Sequence, residues 1–339
     1  MSKRKVVLIA GDGIGPNITI AVQKVVAASG AEIDWVERKA GLSALEEGLD
    51  VLPDSTIDAI KEHRVALKGP CTTPIGEGFT SVNVQLRKTL DLYSAVRPIR
   101  SLNGVKTRFS GVDIVIIREN TEGLYSGVEN TISPGVVMSM KVATDKACTR
   151  IAEKAFKYAR MIDRKKVTVF HKANIMKLTD GLFIRKSREV SQQYSDIEYQ
   201  EMIIDAGCMK IVQDPTQFDI LLLENLYGDL LSDLCAGLVG GLGVVPGSNI
   251  GDNIAVFEAV HGSAPDIAGK NIANPLALLM SCVMMLNYLA DNEGIEYYAE
   301  CAGKIRKAYN KAIEQGATTR DLGGDLGTQE FADAVIERL

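Results

Sequence analysis

Short apolar runs alternate with longer amphipathic segments along most of this chain. VVLIA precedes NITIAVQKVVAAS, VALKG precedes VNVQLRKTL, KVTVFHKA precedes KLTDGLFIRKSREVSQQ, and FDILLLEN precedes YGDLLSDLCAGLVG. Short apolar runs bounded by turn residues are typical of buried strands, and the segments that follow them are typical of helices. Because neighbouring parallel strands need a helical crossover between them, the alternation predicts an α/β protein with a largely parallel sheet.

One region interrupts this alternation. DIVIIREN and VVMSMKVAT have the composition of consecutive strands, and the turn-rich segment TEGLYSGVENTISPG lies between them. Long excursions of this kind are commonly functional or flexible. We therefore expect a segment that reaches outward to a second subunit, with a surface hairpin of the same domain as the alternative.

The composition is compatible with a soluble metabolic enzyme but does not identify one. A length of 339 residues predicts about two domains. The net charge is −5, and charged residues of both signs are spread along the chain without a basic stripe, which argues against nucleic acid as a partner. VVLIA is too short for a secretory signal, and PLALLMSCVMMLNYLA is too short and too interrupted to span a membrane. We expect no membrane association and a cytoplasmic location. The six cysteines form no C-x-x-C pair, which predicts reduced and mostly buried thiols.

Arginine is concentrated in the segments SVNVQLRKTLDLYSAVRPIR and IVIIRENTEGLYSG. Arg87, Arg97 and Arg118 follow Ser81 and Asn83 and precede Tyr125. A guanidinium holds a carboxylate through two parallel hydrogen bonds and stays charged at any useful pH. If the three arginines converge, they suit a polyanionic substrate.

The glycine-rich segment GDGIGP at residues 11–16 follows a strand-like run and precedes a helix-like one. The dinucleotide fingerprint of a Rossmann fold requires glycine where this chain has Pro16. Pro16 suits the first turn of a helix instead, where its missing N–H costs nothing. The segment therefore predicts a glycine-rich turn of another kind.

Two acids of YGDLLSD, Asp229 and Asp233, are four residues apart at the start of a predicted helix. That spacing places both carboxylates on one face, where they can share Mg²⁺ or Mn²⁺ with a third acid such as Asp205. Acids are also common in the first turn of helices because of the helix dipole, which is the alternative.

Two further segments carry candidate residues. In HKANIMKLTDG, Lys172 directly follows a strand-like run and Asn174 comes two residues later, where active sites of α/β proteins are built, although a surface lysine is commoner. In HGSAPDIAGKNIANP, His261 begins a loop of small residues that can approach a flat ligand closely. A histidine that only stabilises the loop is the alternative.

In this order, the motifs resemble those of the β-decarboxylating dehydrogenases, the family of isocitrate, isopropylmalate and homoisocitrate dehydrogenases. The matching segments are GDGIGP, LDLYSAVRP, IIRENTEGLYSG, NIMKLTDG, NLYGDLLSD, GGLGVVPGSNIG, HGSAPDIAG and TRDLGG, and they cover nearly the whole chain. The resemblance implies oxidation of a malate-type substrate at its hydroxyl carbon, hydride transfer to a nicotinamide and loss of the β-carboxylate.

The resemblance also implies roles for individual residues. Arg87, Arg97 and Arg118, with Asn174, would bind substrate. Asp229 and Asp233, with Asp205 from the partner subunit, would hold an essential Mg²⁺ or Mn²⁺. Tyr125 and Lys172 would be the acid/base pair, with the lysine supplied by the partner. The positions implied for the cofactor are Ile14, Thr72, Thr73, His261, Gly262, Ala264, Asp266, Ile267 and Asn274.

Substrate and cofactor choice follow from two departures within the family. Isocitrate enzymes resemble the pattern S-x-N-x-x-L-R, which this chain has as Ser81, Asn83 and Arg87, whereas isopropylmalate enzymes have apolar residues there. NADP enzymes carry lysine and tyrosine after the H-G-x-A-P run, where this chain has Asp266 and Ile267. The S-x-N-x-x-L-R pattern predicts isocitrate as the substrate. An aspartate repels a 2′-phosphate, so NAD is predicted as the cofactor. Asn17 replaces the glutamate that usually follows GDGIGP.

The fold implied is the family's two-domain α/β/α sandwich, which is not a Rossmann fold. Residues 1–98 and 254–339 would form the large cofactor-side domain, residues 99–253 the small domain, and residues 124–144 an arm that interlocks with a second subunit in an obligate homodimer. The alternatives are a homoisocitrate or broad-specificity malate-type enzyme and, outside catalysis, a regulatory subunit of a hetero-oligomeric NAD-dependent isocitrate dehydrogenase.

Overall fold

A computed structural model describes residues 3–72 and 81–339 of the chain. The strands are β1 (Arg4–Ile9), β2 (Ile33–Arg38), β3 (Val65–Lys68), β4 (Ser94–Arg100), β5 (Asp113–Glu119), β6 (Gly123–Ser133), β7 (Val136–Val142), β8 (Lys166–His171), β9 (Glu198–Ile203), β10 (Ile220–Leu223), β11 (Pro246–Ile250) and β12 (Ala255–Ala259). The α-helices are α1 (Gly15–Ala28), α2 (Leu42–Leu45), α3 (Asp54–His63), α4 (Val82–Thr89), α5 (Asp145–Met161), α6 (Thr179–Ser191), α7 (Ile204–Gln213), α8 (Asn225–Val239), α9 (Leu276–Glu293), α10 (Glu296–Glu314) and α11 (Thr328–Ile336). Short 3₁₀ turns lie at Pro215–Gln217, Leu242–Val244, Pro265–Ile267 and Arg320–Leu322.

Ten of these strands form one sheet in the order β2-β1-β3-β12-β11-β4-β5-β10-β8-β9. Pairing is parallel except at the centre, where β11 runs antiparallel to β12 and β4, and β4 runs antiparallel to β5. The prediction of an α/β protein with a largely parallel sheet is confirmed. The antiparallel centre was not predicted, because β11 and β12 are joined by a short turn that the alternation of strands and helices does not reveal.

Helices cover both faces of the sheet. In β1, Val6 and Leu8 pack into the core beneath α1, α9 and α10, while Val7 and Ile9 pack into the core formed with α3 and α4. A strand buried on both faces has no polar alternation, which is why VVLIA is continuously apolar. The sheet is therefore the middle layer of three, as the sandwich prediction requires.

The predicted excursion is itself regular structure. β6 covers most of the turn-rich segment and pairs antiparallel with β7 in a separate two-stranded sheet. The prediction that β5 and β7 are consecutive strands was wrong, because β6 lies between them in the chain and pairs with β7, while β5 belongs to the main sheet. The ribbon exposes large apolar side chains, including Ile132 at 59% and Val137 at 68%.

The longest apolar segment of the sequence becomes α9, whose residues are mostly buried in the core. Among the helices of the described residues, none is both long and apolar enough to span a bilayer. All six cysteines are unpaired, as predicted. Four are buried, while Cys71 and Cys208 are partly exposed.

Candidate active site

Arg87, Arg97 and Arg118 converge on one cavity of about 270 Å³. β4 and β5 are antiparallel neighbours in which Arg97 lies opposite Ile116, so that Arg118, two residues further along, points to the same face of the sheet. Arg87 reaches the cavity from α4. All three side chains are buried. The sequence showed three arginines in order, and the strand register supplies their convergence.

The opposite wall of the cavity is the first part of α8, which presents Asp229 and Asp233 one turn apart. The helix approaches β5 closely because Gly228 lies against Arg118, where an added Cβ would come within 2.4 Å of the arginine side chain. Arg118 donates hydrogen bonds to Asp229 and, over 2.7 Å and 3.1 Å, to the amide oxygen of Asn225. Glycine at 228 thus lets two acids of one helix face a buried guanidinium.

The charges in this cavity perturb one another. Burial and the positive charges of Arg118 and Arg87 lower the pKa of Arg97 to about 10. Burial opposes ionisation of Asp229, but the positive charge of Arg118, the Tyr125 hydrogen bond and the charge of Arg97 outweigh it and lower the pKa of this carboxyl group. The cavity lining holds four cationic side chains, Lys68, Arg87, Arg97 and Arg118, against the three carboxyl groups of Asp229, Asp233 and Glu258. An excess of positive charge is the environment that an anionic ligand requires.

Tyr125, in β6, lies over the guanidinium of Arg118 with 5.2 Å between the guanidinium carbon and the ring centre. Its hydroxyl donates a hydrogen bond to Asp229. Burial, followed by this hydrogen bond, raises the pKa of the phenol. The hydroxyl therefore stays protonated at neutral pH, which suits a proton donor.

A buried ion cluster that sequence reasoning missed lies behind Arg87. The carboxylate of Glu258 is 2.7 Å from the ammonium of Lys68 and 3.3 Å from the guanidinium of Arg87, and it accepts a 2.6 Å hydrogen bond from Asn249. Lys68 and Glu258 also line the cavity. The signal was present in the sequence, since each is the one charged residue in an otherwise apolar strand, VALK in β3 and AVFEA in β12.

Three loops lie beside this cavity: the glycine-rich turn after β1, the loop after β3 and the loop after β12. They lie together because β1, β3 and β12 are parallel neighbours whose carboxyl ends lie at one edge of the sheet. The glycine-rich turn contacts the other two loops, with a 2.7 Å hydrogen bond from the Asp12 amide to the Pro70 carbonyl and a 2.8 Å bond from the Ile14 amide to the Ser263 carbonyl. Pro16 lies in the first turn of α1, as predicted.

Asp12, which sequence reasoning did not single out, fixes the geometry of these loops. Its carboxylate accepts hydrogen bonds from the amides of Leu42, Ser43 and Thr72 over 2.7–3.0 Å. The Thr72 hydroxyl lies 2.5 Å from that of Ser263. An acid within a glycine-rich turn is the signal that identifies such a residue, because its carboxylate is placed to accept from neighbouring amides.

The predicted cofactor residues of the third loop surround its 3₁₀ turn. Asp266 is exposed and Ile267 is partly buried within Pro265–Ile267, and Ala264 precedes the turn with a φ of +40°. Asn274 donates to Asp321 over 2.9 Å and accepts from the amide of Leu276 at the start of α9. Thr73 lies outside the described residues.

Several polar atoms of the site are buried without a hydrogen-bond partner in the described part of the chain. They are the Asn83 amide oxygen, the Arg87 Nε and the Nε2 of His261. Burial, partly offset by the bond to Gly262, lowers the pKa of His261 and keeps the imidazole neutral. Buried polar groups rarely remain unpaired, so these atoms mark where ligand groups belong. His261, beside the three loops, fits a nucleotide cofactor at this position.

Lys172, Asn174 and Asp205 do not line the cavity of their own chain. Lys172 directly follows β8, as predicted, and its ammonium lies 2.9 Å from the Asp205 carboxylate in the first turn of α7. Asn174 is exposed. The structure thus brings the three arginines, Tyr125 and the two acids of α8 together in one cavity. Lys172 and Asp205 pair with each other elsewhere on the same chain.

The carboxylate pair of α8 fits a divalent cation in its chemistry. Asp229 and Asp233 present hard oxygen donors on one helical face toward the cavity, which Mg²⁺ and Mn²⁺ prefer. In residues 3–72 and 81–339, no group of three or more His, Cys, Asp or Glu side chains is placed to hold a metal ion. A complete site would need oxygens from a substrate or another chain.

The fold and cavity together define an α/β enzyme that binds a polyanion next to a nucleotide-type loop cluster. The sequence profile of the isocitrate/isopropylmalate dehydrogenase family matches residues 5–335. The chain belongs to that family, as the resemblance predicted.

Relatives match over nearly the full length. Isocitrate dehydrogenase (NAD) subunit alpha, mitochondrial, from Bos taurus is 49% identical over 99% of this chain and 90% of its own length. Isocitrate dehydrogenase (NAD) catalytic subunit 5, mitochondrial, from Arabidopsis thaliana is 50% identical over 98% of this chain and 87% of its own. The crystal structure of isocitrate dehydrogenase from Methylococcus capsulatus superimposes with a TM-score of 0.93 at 48% identity, covering 99% of both chains.

Proposed function

We propose that this protein oxidises isocitrate to 2-oxoglutarate and CO₂ with reduction of NAD, using a divalent cation. The observation that carries the proposal is the convergence of three buried arginines on one cavity that also holds the two acids of α8. Three guanidiniums match the three carboxylates of isocitrate. The NAD-dependent isocitrate dehydrogenase relatives, one of them named a catalytic subunit, support the same assignment.

The buried Arg87 Nε, which has no partner among the described residues, and the amide N–H groups of Asn83 in the cavity lining favour a substrate with a polar side arm. An isopropyl arm would leave such groups buried without partners, at a cost of about 1 to 3 kcal/mol each. Ser81, just ahead of α4, also lines the cavity. Homoisocitrate, one methylene longer, is the alternative substrate.

In the proposed reaction, Arg87, Arg97 and Arg118 orient the carboxylates, and Lys172 of a second subunit removes the proton of the substrate hydroxyl. The hydroxyl carbon loses a hydride, and loss of CO₂ from the resulting β-keto acid leaves a carbanion. Tyr125 protonates that carbanion, for which its place in the cavity lining beside Asp229 suits it.

Two bound groups would supply the rest of the chemistry. Asp229 and Asp233, with Asp205 of a second subunit, would hold Mg²⁺ or Mn²⁺, which polarises the substrate oxygen when bound. NAD accepts the hydride when bound, and Ile14, Thr72, His261 and Asn274 would position it. Asp266, exposed on the 3₁₀ turn, would accept from the ribose hydroxyls and repel a 2′-phosphate.

We further propose that the active enzyme is a homodimer with shared sites. Lys172 and Asp205 lie away from the cavity of their own chain, and the β6–β7 ribbon exposes apolar side chains that a partner would cover. The proposed domains are residues 1–98 with 254–339 and residues 99–253. The names of the two relatives describe subunits of mitochondrial enzymes. For this chain, hetero-oligomer formation is the alternative assembly, and the cytoplasmic location stays a prediction.

An initial-rate assay of the purified chain tests the activity. Isocitrate, homoisocitrate and isopropylmalate are compared with NAD and NADP in the presence of Mg²⁺ or Mn²⁺. We expect the highest kcat/KM with isocitrate and NAD. A preference for isopropylmalate contradicts the substrate assignment, and absence of NADH formation favours a regulatory subunit.

Mixing two inactive variants tests the shared site. Lys172→Met and Asp229→Asn each remove one part of every site, but a mixed dimer contains one cavity with an intact Asp229 and an intact partner lysine. After unfolding and refolding as an equimolar mixture, activity of about one quarter of the wild type is expected from random pairing. Refolding each variant alone is the control, and a mixture as inactive as its components contradicts crossing over.

A further inference from the structure

A second cavity, of about 570 Å³, lies on the opposite face of the central strands from the arginine cavity. Its floor contains Ser248 of β11 and Phe257 of β12, which are directly opposite each other in the antiparallel ladder. Because side chains alternate along a strand, Glu258 points the other way, into the arginine cavity. One pair of strands thus separates two cavities.

Among the described residues that line this second cavity, the only lysine is Lys154 of α5. It is partly buried and forms no ion pair with any residue in the described ranges. The lysine one turn later, Lys157, is 66% exposed and lies 3.5 Å from Glu153, as is usual for a solvated helix face. Burial, with the positive charge of Lys157, lowers the pKa of Lys154, and the negative charge of Asp252 offsets this only in part. A partly buried cation in a cavity that no carboxylate of the described residues contacts within 4 Å is a feature that an anionic ligand would satisfy.

The floor of the cavity carries a second unsatisfied group. The hydroxyl of Ser248 is buried, with the residue 1% exposed, and has no hydrogen-bond partner among the described residues. The walls include the apolar side chains of Met161, Ile162 and Met284, and Asn287 and Asn292 also line the cavity. Asp291 stands at the exposed mouth. An anion would therefore be held at Lys154 while its body covers the apolar walls.

We propose that this cavity, which we call the Lys154 cavity, binds a small carboxylate with an apolar body. The carboxylate accepts from the Lys154 ammonium, and a second oxygen or ring substituent reaches the Ser248 hydroxyl. The volume lies within the range of ordinary small-molecule sites, roughly 300 to 1,000 Å³. This inference does not rest on the proposed function, because it concerns the opposite face of the sheet and is read out by binding.

A ligand in the Lys154 cavity would change the affinity of the arginine cavity for its own ligand. A ligand packed on Ser248 and Phe257 contacts the residues next to Asn249 and Glu258, which form the buried cluster behind Arg87. The coupling is reciprocal, so that any ligand of the arginine cavity would change the affinity of the Lys154 cavity by the same factor.

Benzoate and benzamide provide the test, because they share shape and differ in charge. Binding to the full chain is titrated by ligand-observed NMR for the wild type and for Lys154→Met. We expect saturable binding of benzoate, an affinity for benzamide lower by about tenfold or more, and a loss of the same size for benzoate in Lys154→Met. Lys157→Met, which removes the same charge one turn away on the solvent side, should bind benzoate as the wild type does.

A second variant tests the position of the bound ligand without changing the charge of the cavity. Met284→Trp fills the Lys154 cavity and should abolish benzoate binding while Lys154 remains; circular dichroism verifies that each variant is folded. Unchanged benzoate affinity in Lys154→Met would place the ligand elsewhere, with the arginine cavity as the obvious site, and overturn the proposal. Equal affinity for benzoate and benzamide would also overturn it.

Discussion

The ammonium of Lys68 lies 2.7 Å from the carboxylate of Glu258, and both residues are buried. The pair is fixed by the sheet, since β3 and β12 are parallel neighbours in which Lys68 and Glu258 are aligned. Burial opposes ionisation of Glu258, but the charges of Lys68 and Arg87 prevail and hold the pKa of this carboxyl group far below its usual range.

Glu258→Gln should therefore destabilise the protein strongly. The substitution leaves two buried cations without a counter-charge, which costs about 3 to 5 kcal/mol. Urea unfolding at pH 7 and fixed protein concentration measures the loss. Glu189→Gln, which breaks an exposed pair with Lys186, is the control and should cost less than about 1 kcal/mol.

The effect of Glu258→Gln should depend on pH with a defined sign. A carboxyl group whose pKa is depressed by folding contributes its full stability above the unfolded pKa of about 4.3, and loses it as the pH falls toward the folded pKa. The difference between wild type and variant is thus largest near neutral pH and shrinks below about pH 4. A difference that grows on acidification contradicts the ionised buried pair.

Asn83→Leu tests the side-arm pocket. Asn83 lines the arginine cavity, where its amide N–H groups can donate to a carboxylate side arm. Loss of this group should lower kcat/KM for isocitrate by about tenfold or more and raise the isopropylmalate to isocitrate ratio. Asn103→Leu, on the surface beside Glu314, is the matched control. An unchanged ratio would remove Asn83 from substrate selection.

The double substitution Asp266→Lys with Ile267→Tyr tests cofactor choice. Replacing an exposed negative charge with a positive one beside the expected ribose position should raise the NADP to NAD ratio of kcat/KM by about tenfold or more. Asp163→Lys makes the same change of charge on the loop after α5, about a hundred residues from Asp266 in the sequence, and should leave the NADP to NAD ratio unchanged. If both variants behave alike, Asp266 does not contact the ribose.

The sequence predicted the class of fold and the members of the site better than their arrangement. Alternating apolar runs predicted the strands, and residue types predicted arginine for carboxylate and paired acids for a cation. Convergence of the site residues depends on the register of the strands, which places Arg97 and Arg118 on one face of the sheet and aligns Lys68 with Glu258. No local sequence pattern encodes the pairing of distant strands. The excursion was misread because the glycines and polar residues of β6 are typical of turns, whereas its pairing with β7 makes it a strand.

The hydroxyl of Tyr125 donates a hydrogen bond to Asp229 next to Arg118. Its proton is needed only after hydride transfer and loss of CO₂, so Tyr125→Phe should reduce the overall oxidative decarboxylation far more than the reduction of the intermediate keto acid by NADH. The two rates are measured on the same preparation, and Tyr199→Phe, which removes a hydroxyl that donates to Glu201 on β9, should leave both unchanged. A general acid typically contributes about 10²- to 10⁴-fold, which sets the separation expected between the two assays. Equal losses in both would mean that the hydroxyl orients substrate or Asp229 instead of delivering the proton.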